Sequence, residues 1–364
     1  MTETTTLTPL QQTVRMGTEL WNDSSDPAEL EYAIANGAVG ATSNPPITLE
    51  VLRKEPDRWR ARARELSSTN PTWTETQIAW QIYEDIALRG AAILQPIFER
   101  TNGAQGRLSI QTDPALYRDT DGMVEQGLRF AGRAPNLQVK FPTTRAGLAA
   151  IEEATYRGVN INATVCFTVP QALAVGEAVE RALRRREAEG LDAASMHPVC
   201  TIMIGRLDDW MRVLADRDDI AIDPTALNWA GIAAFKRAYE IYGTRAYRTR
   251  LLGAAYRHRL HWTELVGGDV ILTMTHQWQV RFNASGIEPE SRIDVPVHPS
   301  IVADLAERIP DFARAYEPDG LSPAEFDGYG ATVRTLRGFV KSYHDLQGAI
   351  RDIVLPDPDA VTPA

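Results

Sequence analysis

The stretch PNLQVKFP, residues 135–142, alternates apolar and polar residues in the manner of a β-strand. Its apolar residues share one face, and the opposite face carries Asn136, Gln138 and Lys140. If the apolar face meets helices, the Lys140 amine projects into a polar interior. Desolvation there lowers the pKa of an amine and leaves it partly neutral and nucleophilic, the state required for Schiff-base chemistry. The alternative is an edge-strand lysine that discourages aggregation.

Seven further strand-like segments accompany this one, and most of the stretches between them have apolar residues at helical spacing. The predicted strands are 20–23, 38–43, 107–112, 136–141, 160–166, 200–204, 251–256 and 270–275. The predicted helices between them are 27–36, 120–131, 146–156, 169–186, 226–242 and 262–266. Strand-then-helix alternation over eight strands predicts an α/β fold, a (β/α)8 TIM barrel.

Two regions exceed the minimal barrel pattern. Residues 50–105 predict a helical insertion of two or three helices between the second and third strands. Residues 299–315 and 323–354 predict C-terminal helices, followed by a frayed tail over 355–364. Because we find no internal repeat and no low-complexity linker, we expect one domain over residues 1–364.

The composition narrows the possible partners. The chain has 364 residues, a net charge of -10 and a pI near 5.2, which argues against nucleic acid or acidic membrane as a general partner. Its two cysteines suit a reduced, cytoplasmic protein. Residues 1–9 lack the features of a secretory signal, and no apolar run approaches the roughly 20 residues needed to span a bilayer. We therefore expect a soluble, intracellular protein.

Polar residues concentrate near the ends of the predicted strands, where TIM barrels carry their chemistry. They include, in chain order, Asp23, Asn44, Gln111, Asn162, Thr164, Thr201, Arg206 and Arg257. We expect Gly253, Ala255 and Arg257 to share a face of the seventh strand. Each polar residue taken alone is also explained as a turn residue or helix N-cap, and Arg206 as a surface partner of Asp208 or Asp209. Their joint occurrence around one lysine favours a ligand site.

The sequence predicts no metal site. Its six histidines form no metal-spaced cluster with cysteine or carboxylate, and the pair His258 and His261 is interpreted as solvated helix surface. There is no Gly-x-Gly-x-x-Gly segment and no P-loop.

Five segments, taken in order, resemble the transaldolase family of class I aldolases. They are GATSNP (40–45), VKFPTT (139–144), GVNINAT (158–164), IGR (204–206) and GAAYR (253–257). The resemblance spans about residues 18–276, with a spacing similar to that of the longer family members. It implies a barrel that uses neither a metal nor an organic cofactor, and a place in the pentose phosphate pathway.

The resemblance also implies a role for individual residues. Lys140 would form a Schiff base with a ketose phosphate, Asp23 would exchange a proton with the substrate hydroxyl, and Thr164 would help to hold a catalytic water. The implied substrate-binding residues are Asn44 and Asn162 for the donor hydroxyls, Arg206 and Arg257 for the phosphate, and Thr201, which stands where a serine is common.

Three positions depart from the family pattern. Transaldolases carry a glutamate where this chain has Gln111, and the related fructose-6-phosphate aldolases carry glutamine there. At Met203, transaldolases have phenylalanine and fructose-6-phosphate aldolases tyrosine. A glutamine orients a water but cannot take its proton, so the usual general-base route is in question. Ala255 also replaces a serine that often assists phosphate binding.

The leading hypothesis is a transaldolase-like enzyme that transfers or cleaves a dihydroxyacetone unit of a sugar phosphate through Lys140. One alternative is a fructose-6-phosphate-aldolase-like or specialised enzyme with a nonstandard acceptor. A second is a sugar-phosphate-binding protein with little turnover. We expect no nucleic-acid or membrane partner, and the sequence leaves open whether the chain forms a homo-oligomer.

Overall fold

A computed structural model describes residues 7–359 and shows a closed barrel of eight parallel strands. Each strand pairs with the next one along the chain, and β8 pairs with β1. The strands are β1 Glu19–Asn22, β2 Ala38–Thr42, β3 Arg107–Gln111, β4 Leu137–Pro142, β5 Ile161–Cys166, β6 Val199–Ile202, β7 Arg250–Gly253 and β8 Val270–Met274. The predicted (β/α)8 barrel is confirmed.

Helices follow the strands around the barrel. They are α1 Pro9–Arg15, before β1, α2 Pro27–Ala35, α6 Thr120–Ala131, α7 Arg145–Tyr156, α8 Val169–Ala188, α9 Ile204–Arg217, α10 Ala230–Arg245, α11 Leu260–Thr263 and α12 His276–Asn283. The sequence predictions missed α1, α9 and α12. Among residues 7–359, no helix combines the length and the apolar character needed to cross a membrane.

The insertion between β2 and β3 forms three helices, α3 Pro45–Lys54, α4 Pro56–Thr69 and α5 Glu75–Arg100. The predicted helix over 299–315 is two helices, α13 Pro299–Arg308 and α14 Pro310–Tyr316, because Pro310 has no N–H to continue the first one. The last helix, α15 Gly330–Val354, begins later than predicted, after a short 3-10 turn. Residues 355–359 form no helix or strand, and the rest of the predicted tail lies outside the described residues.

Two predicted strands end two or more residues earlier than expected. The sixth strand stops at Ile202, and α9 begins at Ile204, so Arg206 lies in the first turn of a helix. The seventh strand stops at Gly253, and Ala255 has a left-handed backbone with φ 67°. The predicted strand face shared by Gly253, Ala255 and Arg257 is therefore wrong, because a left-handed residue interrupts the strand alternation.

Helix α15 packs against α3, α4, α5 and α9, and it also contacts β5. Its buried residues recur at helical spacing and include Leu336, Phe339, Tyr343, Leu346 and Ile350. This packing brings Phe339 to the cavity at the carboxyl ends of the strands.

The barrel interior contains a chain of buried polar side chains. Thr201 Oγ1 donates to Asn162 Oδ1 at 2.7 Å, and Asn162 Nδ2 donates to Ser109 Oγ at 3.0 Å. Ser109 Oγ donates to Gln138 Oε1 at 3.1 Å. Because each bond satisfies a polar atom that burial removes from water, the network holds these side chains in defined orientations.

Candidate active site

Lys140 lies on β4, which pairs with β3 on one side and β5 on the other. A closed barrel has no edge strand, so the alternative of an aggregation-blocking edge lysine is wrong. The side chain is buried, and its Nζ donates to the carbonyl oxygen of Ser43 at 3.3 Å. Burial lowers the pKa of Lys140 to about 8; the Asp23 carboxylate opposes this shift and the Arg206 charge adds to it. A substantial fraction of the amine is thus neutral just above neutral pH.

A cavity of about 170 Å³ opens beside this amine at the carboxyl ends of the strands. Seven of the nine candidate residues line it, namely Asp23, Asn44, Lys140, Thr164, Thr201, Arg206 and Arg257. The remaining wall consists of Met203, Ala254, Ala255, Tyr256, Thr273, Thr275, Trp278 and Phe339. The cavity thus brings one amine, one carboxylate and two guanidinium groups to a common space.

Asp23 and Asn44 lie at the ends of β1 and β2. Asp23 Oδ1 accepts a hydrogen bond from Thr42 Oγ1 at 2.5 Å, which orients the carboxylate. Asn44 is the N-cap of α3, where its Oδ1 accepts from the backbone N–H of Ile47 at 3.0 Å. The N-cap role considered for such residues is therefore present, but it uses only the oxygen. Within residues 7–359, the Asn44 amide nitrogen has no hydrogen bond and remains available to a ligand.

Gln111 and Asn162 flank Lys140 in the sheet register but do not line the cavity. Gln111 is buried, and its Oε1 has no hydrogen-bond partner in the described part of the chain. Asn162 uses both ends of its amide, with Ser109 and Thr201. In this arrangement Asn162 orients Thr201, so the binding of a donor hydroxyl by Asn162 stays a prediction.

The backbone is irregular directly beside Thr164. Val165 has φ 54°, and the β5–β6 register shifts between Ala163 and Cys166. A β-branched residue in the left-handed region is strained, at a cost on the order of 1–3 kcal/mol. The strain lies next to a cavity-lining residue, which is where functional sites commonly concentrate it.

The two arginines differ in how much of their hydrogen-bonding capacity is free. Arg257 donates from Nε and Nη2 to Asp209, at 2.7–3.1 Å, and from Nη1 to two backbone carbonyls. Because a guanidinium has five N–H donors, this leaves only one for a ligand. Arg206 forms no side-chain hydrogen bond within residues 7–359, and its Nε is buried. The surface ion pair considered for Arg206 is wrong, since Asp209 pairs with Arg257 instead.

Burial and the neighbouring Arg257 charge lower the pKa of Arg206. The Phe339 ring lies 5.3 Å from the Arg206 guanidinium carbon and covers one face of the group. Arg206 is half-buried as a whole residue. An anion bound to such an unpartnered guanidinium would neutralise its charge and satisfy its free N–H groups. Arg206 therefore has the larger unused hydrogen-bonding capacity of the two.

Sequence reasoning missed several residues of the site. Tyr256 belongs to the GAAYR segment and lines the cavity, with a buried hydroxyl that has no partner in the described residues. Burial, with the Asp23 charge, holds the pKa of Tyr256 well above its usual value, so its hydroxyl stays neutral. Trp278 and Phe339 come from α12 and α15, and no motif in the sequence marks either of them.

The interpretation of His258 and His261 as solvated surface is wrong for His261, which is completely buried. Both rings contact the buried Asp208 carboxylate, so the absence of a histidine–carboxylate cluster was also wrongly predicted. The error arose because Asp208 lies about fifty residues earlier in the chain, on another barrel element.

Comparison with known proteins identifies the family. The family model described as Transaldolase/Fructose-6-phosphate aldolase matches residues 20–316. The chain belongs to this family. A transaldolase of Thermobifida fusca is 29% identical, over 93% of this chain and 96% of that protein. A transaldolase of Thiobacillus denitrificans is 34% identical, over 63% of this chain and 65% of that protein. The chain is thus an enzyme of the transaldolase and aldolase class.

The close approach of α9 to the end of β7 gives a first prediction. A Cβ on Gly205 would lie 1.9 Å from the carbonyl oxygen of Ala255, so Gly205→Ala must push the two arginine-bearing segments apart. We expect it to lower the free energy of unfolding by about 1–3 kcal/mol, measured by urea denaturation.

The matched control is Gly243→Ala in α10, where a Cβ meets nothing within 4 Å. This control should leave stability unchanged or raise it by up to about 1 kcal/mol. Equal stability of wild type and Gly205→Ala would show that the close packing at Gly205 is not required.

Proposed function

We propose that this enzyme transfers or cleaves a dihydroxyacetone unit of a ketose phosphate through a Schiff base on Lys140. The observation that carries this proposal is the cavity itself, in which a desolvated amine faces the Asp23 carboxylate and the unpaired Arg206. The family match supports the reaction class, and the family also implies a place in the pentose phosphate pathway.

The chemistry follows from these groups. The neutral Lys140 amine adds to the ketone carbon, water leaves, and a protonated Schiff base forms. Asp23 takes the proton of the hydroxyl on the carbon beyond the bond to be broken, and that carbon–carbon bond breaks to release an aldehyde. The electron pair is held as an enamine on Lys140. In a transfer, the enamine adds to a second aldehyde, Asp23 returns the proton to the new hydroxyl, and water hydrolyses the resulting Schiff base to release the product. In a cleavage, the enamine is protonated on carbon, and hydrolysis of the Schiff base releases dihydroxyacetone.

The phosphate end of the substrate is assigned to the arginines. Arg206 offers a complete guanidinium in a largely buried position, while Arg257 adds one N–H and a second positive charge. Because the whole chain has a net charge of -10, these local cations are needed to attract an anionic substrate.

Gln111 favours cleavage, or a nonstandard acceptor, as the second candidate. Its Oε1 is buried without a partner close to Lys140 in the sheet register, so it is placed to orient a water. An amide cannot accept the proton of that water, which is the step a general base would perform. A binding protein with little turnover is less favoured, since binding alone requires neither the Lys140 nucleophile nor Asp23.

Covalent trapping tests the Schiff base. Borohydride reduction in the presence of fructose 6-phosphate or dihydroxyacetone should attach the substrate to Lys140, as read by peptide mass mapping. Lys236 is the internal control, because it is also buried but pairs with Glu264 at 3.1 Å and should stay unmodified. The initial trapping rate should rise with pH and level off above about 8, since only the neutral amine attacks.

The Arg206 charge lowers the pKa of Lys140, so Arg206→Gln should move this rise to higher pH. Adducts on another residue, or none with any ketose, would exclude the Lys140 mechanism. A rate that is flat between pH 6 and 9 would show that the amine is not the titrating group.

Alanine substitution ranks the arginines. Each charge-assisted contact contributes about 1.5–3 kcal/mol, so Arg206→Ala should raise KM for a phosphorylated donor roughly tenfold or more. Arg257→Ala should raise it less, because most of its N–H groups are already engaged. KM for an unphosphorylated donor should change little. The assays are made at pH 9, above the pKa of Lys140, so that loss of the Arg206 charge has less effect on the fraction of neutral amine. Equal losses with both donors would mean that the arginines are structural.

Substitution of Gln111 separates transfer from cleavage. If the missing carboxylate limits ordinary transaldolase chemistry, Gln111→Glu should raise transfer from fructose 6-phosphate to erythrose 4-phosphate by up to roughly 10²-fold. Met203→Phe alone and the double variant complete the comparison, because Met203 lines the same cavity. If Gln111→Glu is inert or harmful in both backgrounds, the cleavage or nonstandard-acceptor reading is preferred.

A further inference from the structure

A buried carboxylate–histidine cluster lies behind the phosphate-binding end of the cavity. Asp208 Oδ2 is 2.8 Å from His261 Nε2 and 3.1 Å from His258 Nε2. Asp208 Oδ1 accepts from the backbone N–H of Gly231 at 2.8 Å. Asp208 and His261 are both completely buried, and they join α9 to the segment that follows β7.

The hydrogen bonds determine the protonation of His261. Its Nδ1 accepts from the backbone N–H of Arg257 at 3.1 Å, so Nδ1 carries no proton and Nε2 donates to Asp208. Burial lowers the pKa of His261, which is consistent with a neutral ring. Burial alone would raise the pKa of Asp208, but hydrogen bonds from His258 and His261 outweigh it and hold this pKa below its usual value. Asp208 is therefore an ionised carboxylate with its charge satisfied by donors.

The same three residues are close enough to be considered as metal ligands, with their ligand atoms within 4.8 Å of one another. A metal on His261 Nε2 would require the proton of the neutral ring to lie on Nδ1. That proton would face the Arg257 N–H, placing two donors against each other. The hydrogen-bonded arrangement therefore fits the cluster better than a metal ion does.

Helix α9 carries one arginine of the site and holds the other through two consecutive residues. Arg206 lies in its first turn, and Asp209 holds the Arg257 side chain with bonds to Nε and Nη2. Asp208 holds the Arg257 backbone indirectly, through His261. The position of Arg257 relative to Arg206 is thus determined by one turn of one helix.

We propose that His261, oriented by Asp208, is a positioning residue that sets Arg257 for phosphate binding. His261 does not line the cavity and acts only through the Arg257 backbone N–H. The proposal rests on the proposed function, in which Arg257 contributes to phosphate recognition. Loss of the hydrogen bond from the Arg257 backbone N–H to His261 Nδ1 should weaken the binding of phosphorylated donors and leave the chemistry at Lys140 unchanged.

Two substitutions at His261 isolate the critical contact. His261→Leu removes both hydrogen bonds, whereas His261→Asn keeps an acceptor at the position of Nδ1. Asp216→Asn, on the exposed side of the same helix, is the control. We expect His261→Leu to raise KM for fructose 6-phosphate by roughly three- to tenfold, the loss expected for one hydrogen bond, with kcat within about twofold. His261→Asn should restore most of the affinity, and KM for unphosphorylated dihydroxyacetone should not change.

A double-mutant cycle tests whether His261 acts through Arg257. In the Arg257→Ala background, His261→Leu should cause no further loss, and the Kd of inorganic phosphate measured by calorimetry should show the same pattern. Additive losses, equal losses for both donors, or no recovery in His261→Asn would overturn the proposal. If His261→Leu does not fold, His261→Gln replaces it in the cycle, because its amide keeps a donor to Asp208 at the position of Nε2 but offers no acceptor at the position of Nδ1. No loss in His261→Gln, or a loss that is independent of Arg257, overturns the proposal.

Three further outcomes separate this proposal from its alternatives. Stoichiometric Zn²⁺ binding by the wild type that is lost in His261→Asn would make the cluster a metal site and overturn the positioning role. If Arg257→Ala raises KM only for phosphorylated donors but neither His261 variant does, the positioning role alone is wrong. If Arg257→Ala has no such selective effect, the phosphate role of Arg257 is wrong and the positioning role falls with it.

Discussion

Closure of β1–β8 into a barrel leaves Lys140 no route to solvent along a sheet edge, and desolvation lowers the pKa of its amine to about 8. Two charged residues of the site change the size of this pKa shift. Asp23 supplies the opposite charge that limits the shift, and Arg206 supplies a like charge that increases it. The charged amine is costly to bury and the neutral amine is nucleophilic, and a pKa of about 8 leaves both forms populated just above neutral pH.

The cavity also contains two cations, Arg206 and Arg257, in a protein whose net charge is negative. Arg257 donates to Asp209 and to two carbonyls, so most of its N–H groups are already engaged. Arg206 is unsaturated, covered by Phe339 and partly desolvated. The two arginines thus differ in how many N–H donors are free for a ligand, and their residue type alone does not reveal this difference.

The barrel interior also contains a polar network of Thr201, Asn162, Ser109 and Gln138, next to an apolar cluster that includes Trp21, Val199, Leu252 and Ile271. Asn162 belongs to this network, whereas the buried Gln111 Oε1 has no partner among the described residues. Neither residue lines the cavity. Gln111, which departs from the transaldolase pattern, is buried next to Lys140 in the sheet register and lies outside the cavity lining.

The sequence by itself determined the barrel and the face on which Lys140 lies, because period-two alternation and strand–helix succession are local patterns. It also indicated Asp23, Asn44 and Thr201, since polar residues at strand ends meet at one side of a parallel barrel. Only the tertiary structure decided where the sixth and seventh strands end, which arginine pairs with Asp209, and that His261 is buried against Asp208. It alone brought Phe339 over Arg206. These features depend on contacts between segments about fifty to more than a hundred residues apart, and the energy of such contacts leaves no periodic signal in the chain.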